Sequence, residues 1–285
     1  MPANVDAVLS YHMSPFACGV AKFNQQLAQR LGVPMRPLSH VCRFPLVSIK
    51  PSEMDDRDRA TKNGEWSWPD HVYDLLLHDR TWGPAREDVQ RARRVFYADE
   101  IGCPSTLEGN PKRGEMNVLL FGMSHKLNGH PVRLTRLRAL LDQSGQDYTV
   151  SVSTAVHEGS PWDGAFTTTC ETLRAIFSDK LRVLGYLADD ALARELRTCQ
   201  AVALFFDPAA RANNTSLWAA MEAGAPVITN LDQESPADLI HNQTVFDLDR
   251  MTEWPALGLR MAVESDGQRA AQEHSWDKLL AILHG

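Results

Sequence analysis

LRVLGYLADDALARELRTCQAVALFFDPAARANNTSLWAAMEAGAPVIT, residues 181–229, is the stretch from which the fold is read. A short apolar run (181–186) is followed by a helical stretch (189–198), a second run (201–206), a helix over 214–223 and a third run, PVIT (226–229). Short apolar runs alternating with helical periodicity predict parallel strands covered by their connecting helices. Asn213, Asn214, Thr215 and Ser216 gather where helix 214–223 begins, and these residue types cap helix N-termini. Gly224 and Pro226 then stop that helix and release the next strand. A helix N-terminus offers free backbone N–H groups and the positive end of the dipole, a setting suited to phosphate. A cap alone, however, also stands at many helices that bind nothing.

The same alternation extends in both directions. Upstream lie strand NVLLFGM (117–123), helix 131–143 opening on Pro131, strand YTVSVST (148–154) and helix 168–177; downstream lie a short helix 236–240, strand TVFDL (244–248) and helical sequence from 250 on. Nearer the start, VDAVLSY (5–11) reads as a strand, and Val20, Phe23, Leu27, Ala28 and Leu31 mark the apolar face of a helix. Residues 33–40 form a weak strand, and 41–70, with Pro45, Pro51, Pro69, Trp66 and Trp68, read as irregular. Strand YDLLLHD (73–79), helix 84–94 and strand RVFYAD (94–99) complete this part. Residues 100–116 hold three Gly and two Pro without periodicity and mark a linker. The expectation is an α/β protein of two Rossmann-like, doubly wound domains facing a cleft, with ligands at the carboxyl ends of the strands. The boundaries fall at 1–105, 106–265 and 266–285, the last a C-terminal helix packing back toward the first domain.

Composition fits that reading. With 285 residues, 44% hydrophobic and 23% charged, the chain is ordinary globular material, which excludes disorder, collagen and coiled coil. It has no apolar stretch of about 18 residues and no basic, cleavable leader, so a soluble cytoplasmic protein is expected. Cys18, Cys42, Cys103, Cys170 and Cys199 form no C-x-x-C pair and read as reduced thiols. The ten histidines form no H-x-x-x-H pair, so no metal site is expected. Net charge is −7, yet residues 80–138 hold eleven Lys/Arg against six acids. A basic middle in an acidic chain points to an anionic ligand or, more plainly, to solvated helix faces.

The run from Leu184 through LWAAMEAGAPVITN resembles the nucleotide-sugar-binding half of retaining glycosyltransferases of the GT-B fold, family 4 and its relatives. Ala219, Met221, Gly224, Pro226, Val227 and Ile228 match the helix-turn-strand element of that family. SPFACGVAKFNQQLAQRLG (14–32) is similar to its N-terminal glycine loop and first helix, with Gly19 and Val20 in the loop. NVLLFGMSHK (117–126) is similar to the strand and loop that open its donor domain. The resemblance implies transfer of a sugar from a nucleotide-diphosphate donor with retention, using no cofactor and no metal. It implies a donor set of Gly19, Val20, Lys126, Arg211, Asn213, Asn214, Thr215 and Ser216. In the family, two glutamates contact sugar and ribose; Arg211 and Ala219 occupy their places here, and Glu222, one helical turn beyond Ala219, is the acid expected to compensate. The family's donor-domain arginine is Met123, with His125 and Lys126 close by.

Lys126, the 213–216 cluster and Arg211 would stabilise the leaving diphosphate, whose own oxygen takes the acceptor's proton. Carboxyl ends of strands also carry His78, Asp79, Asp99 and Glu100, together with His12. Among these, His78 and Asp99 join Lys126 as the expected catalytic set, His78 because the family places a histidine near this strand end. Trp66 and Trp68 offer stacking surfaces for a sugar or base. The acceptor is left open, with an anionic glycan, lipid phosphate or modified nucleic acid compatible with the basic segment; helix 84–94 lacks the aromatic interleaving of single-strand binders. Two other readings stand beside transfer: a catalytically degenerate nucleotide- or glycan-binding relative, and a nucleotide-sugar epimerase.

Overall fold

The structure is a computed structural model of the chain, described over residues 5–15, 18–51, 72–98, 116–123, 130–155 and 162–284. It divides into two compact units. Unit 1 is Met1–Cys103 together with Trp276–Gly285, and unit 2 is Pro104–Ser275.

Unit 1 holds a parallel sheet of β1 (Ala7–Ser10), β2 (Met35–Pro37), β3 (Pro45–Ile49), β4 (Asp74–Leu77) and β5 (Arg94–Tyr97), in the order β2-β1-β3-β4-β5. β3 lies inside the segment read as irregular. Its prolines suggested loop, but Pro45 stands first in the strand, where a missing N–H is tolerated, and PLVSI is buried throughout. The Asp6 carboxylate accepts the backbone N–H groups of Arg43 and Phe44 and so aims the chain into β3. Helix α1 (Gly19–Leu31) buries Val20, Phe23, Asn24, Leu27 and Ala28. Helix α2 is confined to Glu87–Arg91, shorter than the expected 84–94, because the Arg93 N–H already pairs with Tyr73 O and Arg94 enters β5.

Unit 2 holds β6 (Asn117–Met123), β7 (Thr149–Ala155), β8 (Leu181–Gly185), β9 (Ala201–Ala203), β10 (Val227–Thr229) and β11 (Phe246–Asp247), all parallel, in the order β11-β10-β9-β6-β7-β8. The connecting helices are α3 (Pro131–Gln143), α4 (Trp162–Phe177), α5 (Asp189–Thr198), α6 (Thr215–Glu222) and α7 (Leu257–Gln272); α8 (Trp276–His284) then belongs to unit 1. The run expected as strand 201–206 is strand only to Ala203; Leu204 N still pairs with Ile228 O, and Phe206 pairs instead with the Asn230 side chain. Residues 236–240, expected as a helix, form turns held by Thr244 Oγ1, which accepts from Ile240 N and donates to Asp238 O. α6 ends as read: Gly224 takes a left-handed φ of 78°, and Ala225 N closes on Ala220 O.

α8 returns Leu279 and Leu283 to a core cluster with Val8, Phe23, Leu27, Leu46 and Leu76. The core of unit 2 lies on both faces of its sheet, around Trp218, Leu217 and Met221 on one side and Leu137, Leu141 and Phe177 on the other. Among the described residues, no helix is long and apolar enough to cross a membrane.

Candidate functional site

In the sheet of unit 2, the chain runs from β6 outward through β7 to β8, then returns to the other side of β6 as β9 and runs outward again. The strand order therefore reverses between β6 and β9. Connecting helices diverge at such a point, and the crevice outside the carboxyl ends there is where doubly wound sheets take ligands. The chemistry of that crevice is decided by the chain leaving β9 and by the first turns of α3 and α6.

Side chains fix the segment after β9. Asn230, 1% exposed, accepts Phe206 N–H at 2.9 Å and donates to Phe206 O and Pro208 O at 3.0 and 2.9 Å. Arg211 presents its fork to Asp232 with both N–O distances at 2.7 Å, and also donates to Glu234 at 3.1 Å and to Ala210 O at 3.0 Å. Hydrogen bonds from Arg211 hold the Asp232 carboxyl below its usual range, and the same pairing raises Arg211. The cation expected to meet a diphosphate thus already has two carboxylate partners, and its structural effect is to pin this segment to residues 232–234.

Asn214 occupies the N-cap position of α6, but its Oδ1 accepts Arg211 N–H at 2.6 Å and makes no side-chain cap. The Asn214 side chain is therefore turned away from the cap, while Thr215 N pairs with Asn213 O and Leu217 N with Asn214 O. Asn213, Asn214, Thr215 and Ser216 are brought together there, all partly buried. Behind them Trp218 is fully buried; its indole N–H donates to Ala212 O at 2.6 Å, and its ring stacks on His274 at 3.7 Å. His274 Nε2 lies 2.8 Å from Asp238 Oδ2.

Across the reversal, His130 is the N-cap residue of α3. Its ring meets Phe205 edge-on at 6.2 Å, and its Nδ1 lies 3.4 Å from Arg133 Nη1. Burial lowers its pKa, Arg133 lowers it further, and Asp207 opposes the shift. Sequence pattern counts Arg133 among the basic residues of 80–138 but singles out neither His130 nor Asp207; a histidine directly before a Pro-opened helix is the available signal.

Glu222 ends α6, at the opposite end of the helix from Thr215, with its side chain exposed and its carbonyl accepting from Gln268 Nε2 at 3.0 Å. Seven residues of helix separate the two by roughly 10 Å along the axis. Ala219 is buried. Lys126, Asp99, His125, Glu100, Trp66 and Trp68 lie outside the described residues.

Unit 1 has its own reversal, between β1 and β3. A buried polar chain stands there. Asn24 of α1 donates to Ser10 Oγ at 2.9 Å and to Ser48 O at 3.1 Å, and Ser10 Oγ donates to His12 O at 2.6 Å. Ser48 Oγ lies 3.0 Å from Nε2 of His78, which directly follows β4, and the His78 and Phe23 rings stand T-shaped with centroids 4.9 Å apart. Ser10, Asn24 and Ser48 are fully buried, and His78 is 4% exposed. Gly19 opens α1 at the surface, whereas the Val20 side chain packs into the core. Of this group the sequence had marked His78, His12, Gly19 and Val20. The polar partners of His78 went unread, although an asparagine on the apolar face of a helix was visible.

No protein-family profile matches the chain, and no curated protein matches it. Solved structures do. A sucrose-phosphate synthase from Thermosynechococcus elongatus aligns over 99% of this chain and 97% of its own with a TM-score of 0.61 at 13% identity. A trehalose-6-phosphate protein from E. coli, solved with UDP-2-fluoro glucose, aligns over 98% of both chains with a TM-score of 0.61 at 10% identity. A glycosyltransferase from Rickettsia africae aligns over 98% of this chain and 97% of its own with a TM-score of 0.54 at 8% identity. Likeness at such identity is likeness of fold: an α/β chain of two Rossmann-like parallel sheets, the GT-B fold of glycosyltransferases.

Proposed function

We propose that the protein is a glycosyltransferase that moves a sugar from a nucleotide-diphosphate donor to an acceptor with retention at the anomeric carbon, without a metal. The observation that carries this reading is the N-terminal end of α6, where the Asn214 side chain makes no cap and Asn213, Asn214, Thr215 and Ser216 gather beside the reversal of the unit 2 sheet. Backbone N–H groups and the helix dipole there suit the diphosphate as charge develops on it. His130 and Arg133 add ring and guanidinium donors at the start of α3, and Lys126 follows β6 in sequence. Arg211 shapes this site by pinning residues 206–214. The fold likeness to glycosyltransferases supports the same class of reaction. In unit 1, His78, Asp99, Gly19 and Val20 are assigned to the sugar and its acceptor, and Glu222 to the donor's hydroxyl groups. The acceptor stays open, an anionic glycan, lipid phosphate or modified nucleic acid being compatible with the basic residues of 80–138.

A binding protein without turnover is the second reading, favoured by one observation: the places of the family's two glutamates hold an arginine already engaged by Asp232 and Glu234 and a buried alanine. A panel of UDP-, ADP- and GDP-sugars decides between them. A ligand at 100 times its Kd raises stability by about 2.7 kcal/mol, visible as a thermal shift, and release of nucleoside diphosphate over hours marks turnover. Shift with turnover supports the transferase, shift alone the binding protein, and neither sinks both. Within the panel, Lys126→Ala is expected to weaken the best ligand by about 1–3 kcal/mol, as for a charge-assisted hydrogen bond.

A further inference from the structure

Trp218 is the fourth residue of α6, yet its side chain reaches back past the start of the helix. The fully buried indole donates its N–H to the carbonyl of Ala212, six residues earlier, at 2.6 Å. Leucine or phenylalanine would serve the apolar cluster that Trp218 shares with Leu196, Leu204 and Leu239. Tryptophan adds a donor that has to be satisfied once buried, and here the donor ends on the stretch leading into the first turn of α6. From its outer edge that stretch is held by Ser235 Oγ on Ala210 O at 3.0 Å and by Arg211 on Asp232 and Glu234. The indole holds it from within.

What aims the indole is His274, two residues past the end of α7. The two rings lie with centroids 3.7 Å and planes 28° apart. Nε2 of His274 is 2.8 Å from Asp238 Oδ2; a carboxylate only accepts, so Nε2 carries a hydrogen and donates it. Nδ1 is buried with no hydrogen-bond partner among the described residues, so Asp238 and the indole face decide how the imidazole lies. Asp238 is set in turn by its neighbours: its carbonyl accepts from Thr244 Oγ1 at 2.6 Å, and Thr244 Oγ1 accepts Ile240 N–H at 2.8 Å. A run of contacts thus passes from the turns at 238–244 through two stacked rings to Ala212.

We propose that Trp218 is a positioning residue for the donor's diphosphate, its indole N–H fixing the Ala212 carbonyl so that residues 213–216 and the first-turn N–H groups of α6 meet the phosphates, and that His274 acts through it. The role at the ligand rests on the transferase reading; the geometry of the anchor does not. Misplacing a substrate-holding group by about 1 Å costs up to about a hundredfold. These groups hold the diphosphate in the ground state and the transition state alike, so loosening them raises KM and leaves kcat in place.

The test is calorimetric titration of the full-length protein with UDP, ADP and GDP, the tightest of the three being carried into the variants. Trp218→Phe, which keeps an aromatic ring and removes the N–H, is expected to weaken that diphosphate about tenfold and to raise KM for the matching nucleotide sugar equally, with kcat within about twofold. Benzothienylalanine placed at 218 keeps the shape and the stack and lacks only the N–H, so it gives the same reading should Trp218→Phe fail to fold. His274→Gln is expected to weaken binding about threefold in the wild type and no further on the Trp218→Phe background, whereas an effect that does not pass through Trp218 would persist there. A merely structural role would lower Tm and leave the dissociation constant alone. Affinity within twofold of wild type in the 218 replacements therefore overturns the proposal, and an additive effect of His274→Gln overturns the part given to His274. A wild-type protein that binds none of the three diphosphates overturns the donor reading instead, and the ligand role of Trp218 with it.

Discussion

Asp74 begins β4 with its side chain 1% exposed between two arginines. Arg93 donates through Nε and Nη2 at 2.9 and 2.7 Å, and Arg94 through Nη2 at 2.8 Å. Burial alone would raise its pKa, but the hydrogen bonds and charges of Arg93 and Arg94 outweigh burial and hold it below the usual carboxylate range. Asp74→Asn is expected to destabilise unit 1 by about 2–3 kcal/mol, since charge-assisted bonds are lost while a buried polar group stays. Because the folded pKa is depressed, this stability is fully present above the unfolded value of about 3.9 and is lost as pH falls through the folded one. Urea unfolding between acid and neutral pH checks it: wild type and Asp74→Asn should converge at the acid end. Arg211 makes a different prediction. Its bonds pin one segment to another at a half-exposed surface, so Arg211→Ala is expected to leave the unfolding midpoint nearly unchanged and to weaken nucleotide binding several-fold, read by calorimetry.

Between elements, α7 packs closely on the segment entering β11. A Cβ built on Gly267 would stand 2.7 Å from the Thr244 carbonyl oxygen and 3.7 Å from Met221 Cε of α6. Backbone on the far side has little room to yield, so Gly267→Ala is expected to cost about 1–3 kcal/mol by overpacking and to lower Tm by several degrees, although alanine is the better helix former. The same scale shows what was legible beforehand. The 181–229 segment could be read because its strands are short apolar runs between good caps, and the end of α6 fell at Gly224 as its left-handed φ requires. β3 could not, since Pro45 and Pro51 masked a buried five-residue strand whose partners lie far off in sequence. The cluster at 213–216 was visible as a capping pattern, but the turning of Asn214 toward Arg211 N–H is a loop contact that residue type does not specify. Likewise Ser10, Asn24 and Ser48 meet only because three separate segments converge on one strand end.

At the scale of the molecule, unit 2 is one unbroken stretch, whereas unit 1 is completed by α8. Leu279 and Leu283 are 1% and 4% exposed against Phe23 and Leu27, and Trp276 stacks on Phe23 at 5.1 Å with the Arg30 guanidinium over its ring at 4.3 Å. Ending the chain after Ser275 would uncover two buried leucines worth roughly 1.5–3 kcal/mol each. Hydrogen exchange should then show protection lost from β1, β3 and α1 and kept in β6, β7 and α3. The interruption also makes the two units unequal in what they need to fold. A chain cut after Ser275 holds every residue of unit 2, whereas unit 1 then has one wall of its core bare. Limited proteolysis of that shortened chain should yield a resistant fragment from unit 2 alone, and a separate peptide carrying Trp276–His284 should restore resistance to unit 1.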